Sequence, residues 1–188
     1  MKNFSLDDYI VILENVIPDG LCDAVLNEYS NEEEWQKTII GNGEVDEKIR
    51  TAETILISTQ PTIQRNLKVR QELDQQVFNS ANTAIKNYNE KFPLCSIEED
   101  SGYELLRYKK GQFYVEHTDS FKLRPRAVSC SFALNDDYGG GEWGFFSRTK
   151  VVKAPKGSAV LFPSNFMYPH EIMPVTKGVR YSIITWFI

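Results

Sequence analysis

His117 and His170 are the only imidazoles in this chain. His117 opens the triplet His117-Thr118-Asp119, at the end of the strand-like stretch Tyr114-Val115-Glu116. On an extended strand, side chains two residues apart share a face, so His117 and Asp119 would point the same way. This is either a surface His–Asp pair at a strand end or two ligands of a divalent metal. His170 follows much later, within Tyr168-Pro169-His170-Glu171-Ile172. By itself it could be a core or surface histidine. Added to the first pair, it makes two imidazoles and one carboxylate, the facial donor set that leaves adjacent positions open on a non-haem iron(II) ion.

A cation completes the chemistry. Arg180 lies in the apolar run Val179-Arg180-Tyr181-Ser182-Ile183-Ile184-Thr185-Trp186. As a strand, this run puts Arg180, Ser182, Ile184 and Trp186 on one face. A guanidinium there faces solvent, meets a protein carboxylate, or binds an anion bidentately, because burying it unpaired is costly.

These residues need a scaffold. From Tyr103 onward, short β-rich runs alternate with Gly, Pro and Asn-Asp turns. Strands are predicted near 103–109, 113–119, 127–134, 142–147, 150–154, 158–162, 167–172 and 179–187, the pattern of a sandwich or jelly roll. Earlier, Tyr9–Leu13 and Thr54–Ser58 read as strands. A helix follows Asp19, its expected N-cap, with Leu21, Cys22, Val25, Leu26 and Tyr29 at helical spacing. A long helix is predicted from about Leu67 to Tyr88, where Leu73, Val77, Ala81, Ala84, Ile85 and Tyr88 recur every three or four residues, and Pro93 ends it. Residues 36–50 read as a long connection. The expected fold class is α+β: a double-stranded β-helix (jelly roll) with N-terminal helices packed on one sheet. One domain over residues 1–188 is expected, with 1–100 as the helical and strand support and 101–188 as the jelly-roll core.

Composition agrees. The chain has 188 residues, 41% of them apolar and 25% charged, with a net charge of −5. That is enough apolar material for a core, and the acidic balance argues against broad nucleic-acid binding. The longest apolar runs are too short to span a membrane, and the N-terminus lacks the apolar stretch of a secretory signal. Three cysteines in no CxxC pattern favour neither a disulfide framework nor a thiolate zinc site. A reduced, cytoplasmic setting is therefore expected.

The ordered set of motifs resembles a known family. Its pieces are Leu105 through Asp119, Arg126 through Asn135, Gly139-Gly140-Gly141-Glu142, Gly157 through Phe162, Pro169-His170-Glu171, and Pro174 through Trp186. Over roughly Tyr103 to Ile188 the chain resembles the iron(II)- and 2-oxoglutarate-dependent dioxygenases, in the prolyl hydroxylase-like branch. The resemblance implies that His117, Asp119 and His170 are the metal ligands and catalytic residues. It implies that Arg180 holds the far carboxylate of 2-oxoglutarate, with Tyr108 and Trp186 beside it, and that Arg126 and Tyr114 face substrate. Fe(II), 2-oxoglutarate and O2 are the implied cofactors and cosubstrates, with ascorbate in support. Two departures stand out. Ala133 occupies the place of a second tyrosine found in some relatives, and Trp143 stands where smaller residues are common.

The implied reaction couples oxidative decarboxylation of 2-oxoglutarate to hydroxylation of an aliphatic carbon. Asp119 favours hydroxylation over halogenation, because halogenating relatives lack that carboxylate. The implied partner is a peptide or protein containing proline, lying in a groove roofed by Ile39–Arg50 and by Ser120–Arg126. Neither nucleic acid nor membrane is expected as a partner. The alternatives are a hydroxylase of a free amino acid or other small molecule, or a non-catalytic metal-binding jelly-roll module.

Overall fold

The computed structural model describes residues 5–30, 33–40, 43–58, 66–123 and 125–188. A 3-10 turn at Leu6–Tyr9 leads into strand β1 (Val11–Leu13) and helix α1 (Asp19–Tyr29). Asp19 is the first helical residue rather than the cap. Pro18, with φ of −60°, precedes it and no side chain caps the end. Strands β2 (Gln36–Lys37) and β3 (Glu53–Leu56) come before helix α2 (Leu67–Lys91). Helix α2 buries the residues expected from the sequence period, Leu73, Val77, Ala81, Ala84, Ile85 and Tyr88. It runs on to Lys91 and stops just before Pro93, which has no amide hydrogen to continue it.

The second half supplies β4 (Glu104–Lys109), β5 (Tyr114–His117), β6 (Val128–Ala133), β7 (Gly139–Gly140), β8 (Trp143–Phe145) and β9 (Lys150–Val152). It continues with β10 (Ala159–Pro163), β11 (His170–Ile172), β12 (Val175–Lys177) and β13 (Val179–Phe187). All eight strands expected after Tyr103 are present, and the short ribbon β12-β7 adds to them. The larger sheet has the order β1-β10-β6-β13-β4-β3-β2, so both halves of the chain contribute to it. The smaller sheet has the order β5-β11-β8-β9. Two antiparallel sheets with helices on the outside of one make the expected jelly roll.

Period-two alternation explains how the larger sheet serves two layers. Its outward residues, among them Leu105, Cys130, Phe132, Leu161, Ile183 and Phe187, join Val25, Tyr29, Val77, Ala81 and Ile85 of the helices in one apolar cluster. Each fully buried aliphatic or aromatic side chain there contributes roughly 1.5–3 kcal/mol. The inward residues of the same strands belong to a second cluster with Trp143, Phe145 and Ile172 of the smaller sheet. Along β6 the inward positions are small, Ser129, Ser131 and Ala133, which leaves space between the sheets.

The stretch 36–50 is more structured than a plain connection. Strand β2 pairs with β3, the Thr38 amide donates to Ala52 O, and Arg50 bridges to Tyr114. Glu34 pairs with the buried Arg70, which also binds Glu28 and ties α1 to α2.

Candidate metal centre and active site

Strand register brings the two histidines together. In the antiparallel pair β5-β11, His170 lies directly opposite His117, and their ring centroids are 4.3 Å apart. Strand β5 ends at His117, so Asp119 sits in the bend beyond it and not on the strand. The bend still turns its carboxylate inward. Asp119 Oδ1 is 3.5 Å from His117 Nε2, and Oδ2 is 3.6 Å from His170 Nε2. One ligand atom from each of the three residues falls within 4.8 Å of the others.

Hydrogen bonds orient the donors. His117 Nδ1 faces Val115 O at 2.9 Å, and His170 Nδ1 faces Tyr168 O at 3.1 Å. A carbonyl only accepts, so each Nδ1 carries the proton and each Nε2 keeps its lone pair toward Asp119. Tyr114 stacks on the His117 ring at 3.5 Å, while Phe162 meets His170 edge-on at 4.6 Å. Ser129 donates to Asp119 Oδ2 at 2.6 Å and also contacts Ser164 Oγ at 2.8 Å.

Titration favours the ligand state. Burial alone would raise the Asp119 carboxyl, but the His170 and His117 imidazoles and the Ser129 hydroxyl hold it well below the usual carboxylate range. Burial lowers His170 to about 4, helped by the like charge of His117 and opposed by Asp119. A neutral imidazole and an ionised carboxylate are the forms that bind metal. Because the folded value for His170 lies below the ordinary 6.5, the unfolded chain takes up this proton first. The stability of the metal-free chain from this group is then whole above about pH 6.5 and declines as pH falls toward about 4. Thermal melts of metal-free protein should show Tm falling across that window, with a flatter slope in His170→Gln.

The candidate anion-binding residue Arg180 lines the same cavity. About 560 Å³ of space between the sheets is lined by the three candidate ligands and by Tyr108, Tyr114, Arg126, Trp143, Arg180 and Trp186. Arg180 is 2% exposed, and among the described residues no carboxylate pairs with it. Its Nη1 donates to Ser182 Oγ at 3.0 Å, while Nε has no partner. Its guanidinium lies 4.2 Å from the Trp143 ring centroid and 5.3 Å from that of Tyr108. A buried cation with an orphaned donor, facing a cavity, fits a dicarboxylate such as 2-oxoglutarate. Trp143 does face inward, and its ring packs on the arginine. Gly141 has a physical reason as well: its φ is +70°, and a Cβ there would meet Arg180 Cδ at 3.0 Å.

The remaining candidates also face the cavity. Arg126 stacks over Trp186 at 3.4 Å and donates to Asp119 O at 3.3 Å, so it braces the ligand bend. Lys122 is exposed, and Arg124 lies outside the described residues. Reading the sequence missed two groups. Ser129 could have been found, because alternation puts it on the inward face of a buried strand. Arg50 carried no local signal. It is 9% exposed, lines the cavity, stacks 4.6 Å from Tyr114, and its Nε has no partner.

Comparison with known proteins agrees with this geometry. Residues 103–188 match the 2OG-Fe(II) oxygenase superfamily. A PKHD-type hydroxylase of Synechococcus sp. (strain JA-2-3B'a(2-13)) is 33% identical over 89 residues, covering 42% of this chain and 39% of the relative. The chain thus spans about two fifths of that curated relative's length. A Trichoplax adhaerens prolyl hydroxylase, solved with a hypoxia inducible factor peptide fragment, superposes with a TM-score of 0.78 at 21% identity. That match covers 96% of this chain and 84% of the other. A Pseudomonas putida prolyl-4-hydroxylase gives a TM-score of 0.72 at 22% identity, covering 97% and 95%. In sequence over residues 103–188, and in fold over nearly its whole length, the chain resembles the iron(II)- and 2-oxoglutarate-dependent dioxygenases of the prolyl hydroxylase-like branch.

Proposed function

We propose that the chain is an iron(II)- and 2-oxoglutarate-dependent dioxygenase that hydroxylates prolyl residues of a peptide or protein. The observation that carries this reading is the shared cavity: a His117–Asp119–His170 donor set and an unpaired, buried Arg180 line the same space. In this reading the three donors hold the iron. Arg180, with Tyr108 and Trp186 beside it, receives 2-oxoglutarate. Residues 1–100 support a catalytic core at 101–188 within a single domain. Iron with 2-oxoglutarate and O2 supplies the oxidising power for hydroxylating an aliphatic carbon.

The chain's own residues do the rest. The Nδ1–H bonds fix both imidazoles in the ligating tautomer. Ser129 and Arg126 hold the Asp119 carboxylate and its backbone. The apolar walls Phe162, Ile172, Ile184 and Trp186 keep water from the reacting carbon. The substrate enters past Ile39, Phe121 and Leu123 at the rim, with Tyr114 as wall. Arg50 then offers its orphaned donor to a substrate oxygen. A peptide carbonyl satisfies it, and so does the carboxylate of a free amino acid, so this donor suits the small-molecule alternative as well.

Two measurements test this. Incubating a peptide library and free proline with the chain, Fe(II) and 2-oxoglutarate should give an oxygen-atom mass increase on peptidyl proline. Modification of free amino acid alone, or none, overturns the peptide reading. Arg50→Ala should raise KM for substrate by about tenfold, the loss of about 1.5 kcal/mol for a charged hydrogen bond. Among the described residues no helix is long and apolar enough to cross a membrane.

A further inference from the structure

The outer face of the smaller sheet carries an arrangement that the reaction chemistry does not use. The loop from β8 to β9 places three successive non-glycine residues in the left-handed region: Phe146 at φ 53°, Ser147 at 52° and Arg148 at 68°. L-residues avoid this conformation, and a run of three persists only where the surroundings hold it. Two carboxylates do the holding. Glu116 accepts from Ser147 N at 2.5 Å and from Ser147 Oγ at 3.3 Å. Glu171 accepts from Arg148 Nε at 2.5 Å and from Nη2 at 3.0 Å. The Phe146 amide donates to Pro169 O at 3.0 Å.

The position of these anchors matters more than their number. Glu116 immediately precedes His117, and Glu171 immediately follows His170. Alternation sends the imidazoles to the cavity and the two carboxylates to the opposite face of the same strands. Gly144, paired across the strands with Glu171, makes room for the second anchor. A Cβ there would meet Glu171 Oε1 at 2.9 Å and Arg148 Cγ at 3.2 Å. Strands β5, β11 and β8 are therefore fastened to one strained turn, from behind, at the residues next to both imidazole ligands.

We infer that Glu116, Glu171 and the left-handed turn Phe146–Arg148 form a clasp that positions His117 and His170 and so sets the metal affinity of the site. All five residues are positioning residues, since none lines the cavity that holds the metal space. The inference rests on the proposed metal site but is separable from it. If the unaltered chain fails to bind Co(II), the metal site itself is wrong. If it binds Co(II) and the variants below match it, only the clasp is wrong.

The test is Co(II) titration of the metal-free chain, read by visible absorption and calorimetry, with the metal-free Tm measured alongside. Removing an outer partner of a metal ligand characteristically lowers affinity 10- to 100-fold. Glu116→Ala is expected to weaken Co(II) binding about tenfold and to alter the intensity of its absorption bands. Simple loss of negative charge near the metal would also weaken binding, so two further variants decide between the explanations. Arg148→Met deletes an exposed cation. Electrostatics alone would then strengthen Co(II) binding, whereas the clasp requires it to weaken. Glu116→Gln keeps an acceptor for the Ser147 amide while removing the charge, so the clasp predicts affinity near that of the unaltered chain where simple charge loss predicts the weakening seen in Glu116→Ala. Tighter binding in Arg148→Met, or equal weakening in Glu116→Gln and Glu116→Ala, overturns the inference. So does a fall in metal-free Tm with Co(II) affinity unchanged, which would make the turn a plain stability element. Should Glu116→Ala fail to fold, Arg148→Met carries the test of the clasp.

Discussion

His170→Ala is expected to leave a folded chain that binds neither Fe(II) nor Co(II) detectably and turns over 2-oxoglutarate at background rate. His170 supplies one of only two imidazole donors, and its Nε2 faces Asp119 at 3.6 Å. A metal contributes several kcal/mol to the reaction it supports, and about 4 kcal/mol corresponds to ~10^3-fold in rate. Loss of the ring also opens a space against Phe162 and Phe145, which both pack on it. That cavity costs some stability. The side chain it removes is held neutral by burial, but the buried Asp119 carboxylate loses one of the imidazoles that favour its ionised form. The decisive measurement is paired: metal binding by calorimetry and succinate formation with 2-oxoglutarate. An unaltered succinate yield in His170→Ala would exclude the triad as the centre of the reaction.

Arg180→Met should separate function from stability in opposite directions. The guanidinium is 2% exposed and no protein carboxylate among the described residues neutralises it. Truncating one partner of a buried charged pair costs about 2–5 kcal/mol of binding. The affinity for 2-oxoglutarate should then fall by about 30-fold or more. Without ligand the balance reverses. Replacing an unpaired buried cation by an apolar side chain of similar length is neutral or stabilising by about 1–4 kcal/mol. In a chain of this size that would raise the Tm of the ligand-free protein by a few degrees. Adding 2-oxoglutarate and metal should raise the Tm of the original chain and leave that of the variant nearly still. A variant that keeps the ligand-induced shift would show that Arg180 does not receive the cosubstrate.

Both expectations depend on groups that the sequence marks with unequal clarity. The candidate triad and Arg180 stand out in the sequence because their chemistry is rare. With only two histidines, each has a strong claim on any imidazole role, and an arginine inside an apolar strand calls for an anion. Trp143 is legible as a departure, but not as the ring that packs on Arg180. That contact depends on β8 lying in the opposite sheet, facing β13 across the cavity. Arg50 stays hidden for the same reason. The sequence puts Ile39–Arg50 over the groove without singling out Arg50, and pairing with the Phe113–Val115 stretch carries it to the cavity wall.

By itself the sequence determined the periods: helical spacing in α2, alternation in β6 and β13, and hence which side chains share a face. Those are local properties, set by backbone geometry within a few residues. What tertiary structure alone decided is register and opposition. His170 stands across from His117 because β11 pairs with β5 at that residue and not one further along. Asp119 reaches both rings from a bend, although the strand that was expected to present it ends two residues earlier. Pairing between distant segments is chosen by the whole core at once, since a slip of a single residue would turn each inward side chain outward. No local stretch of the chain contains that choice.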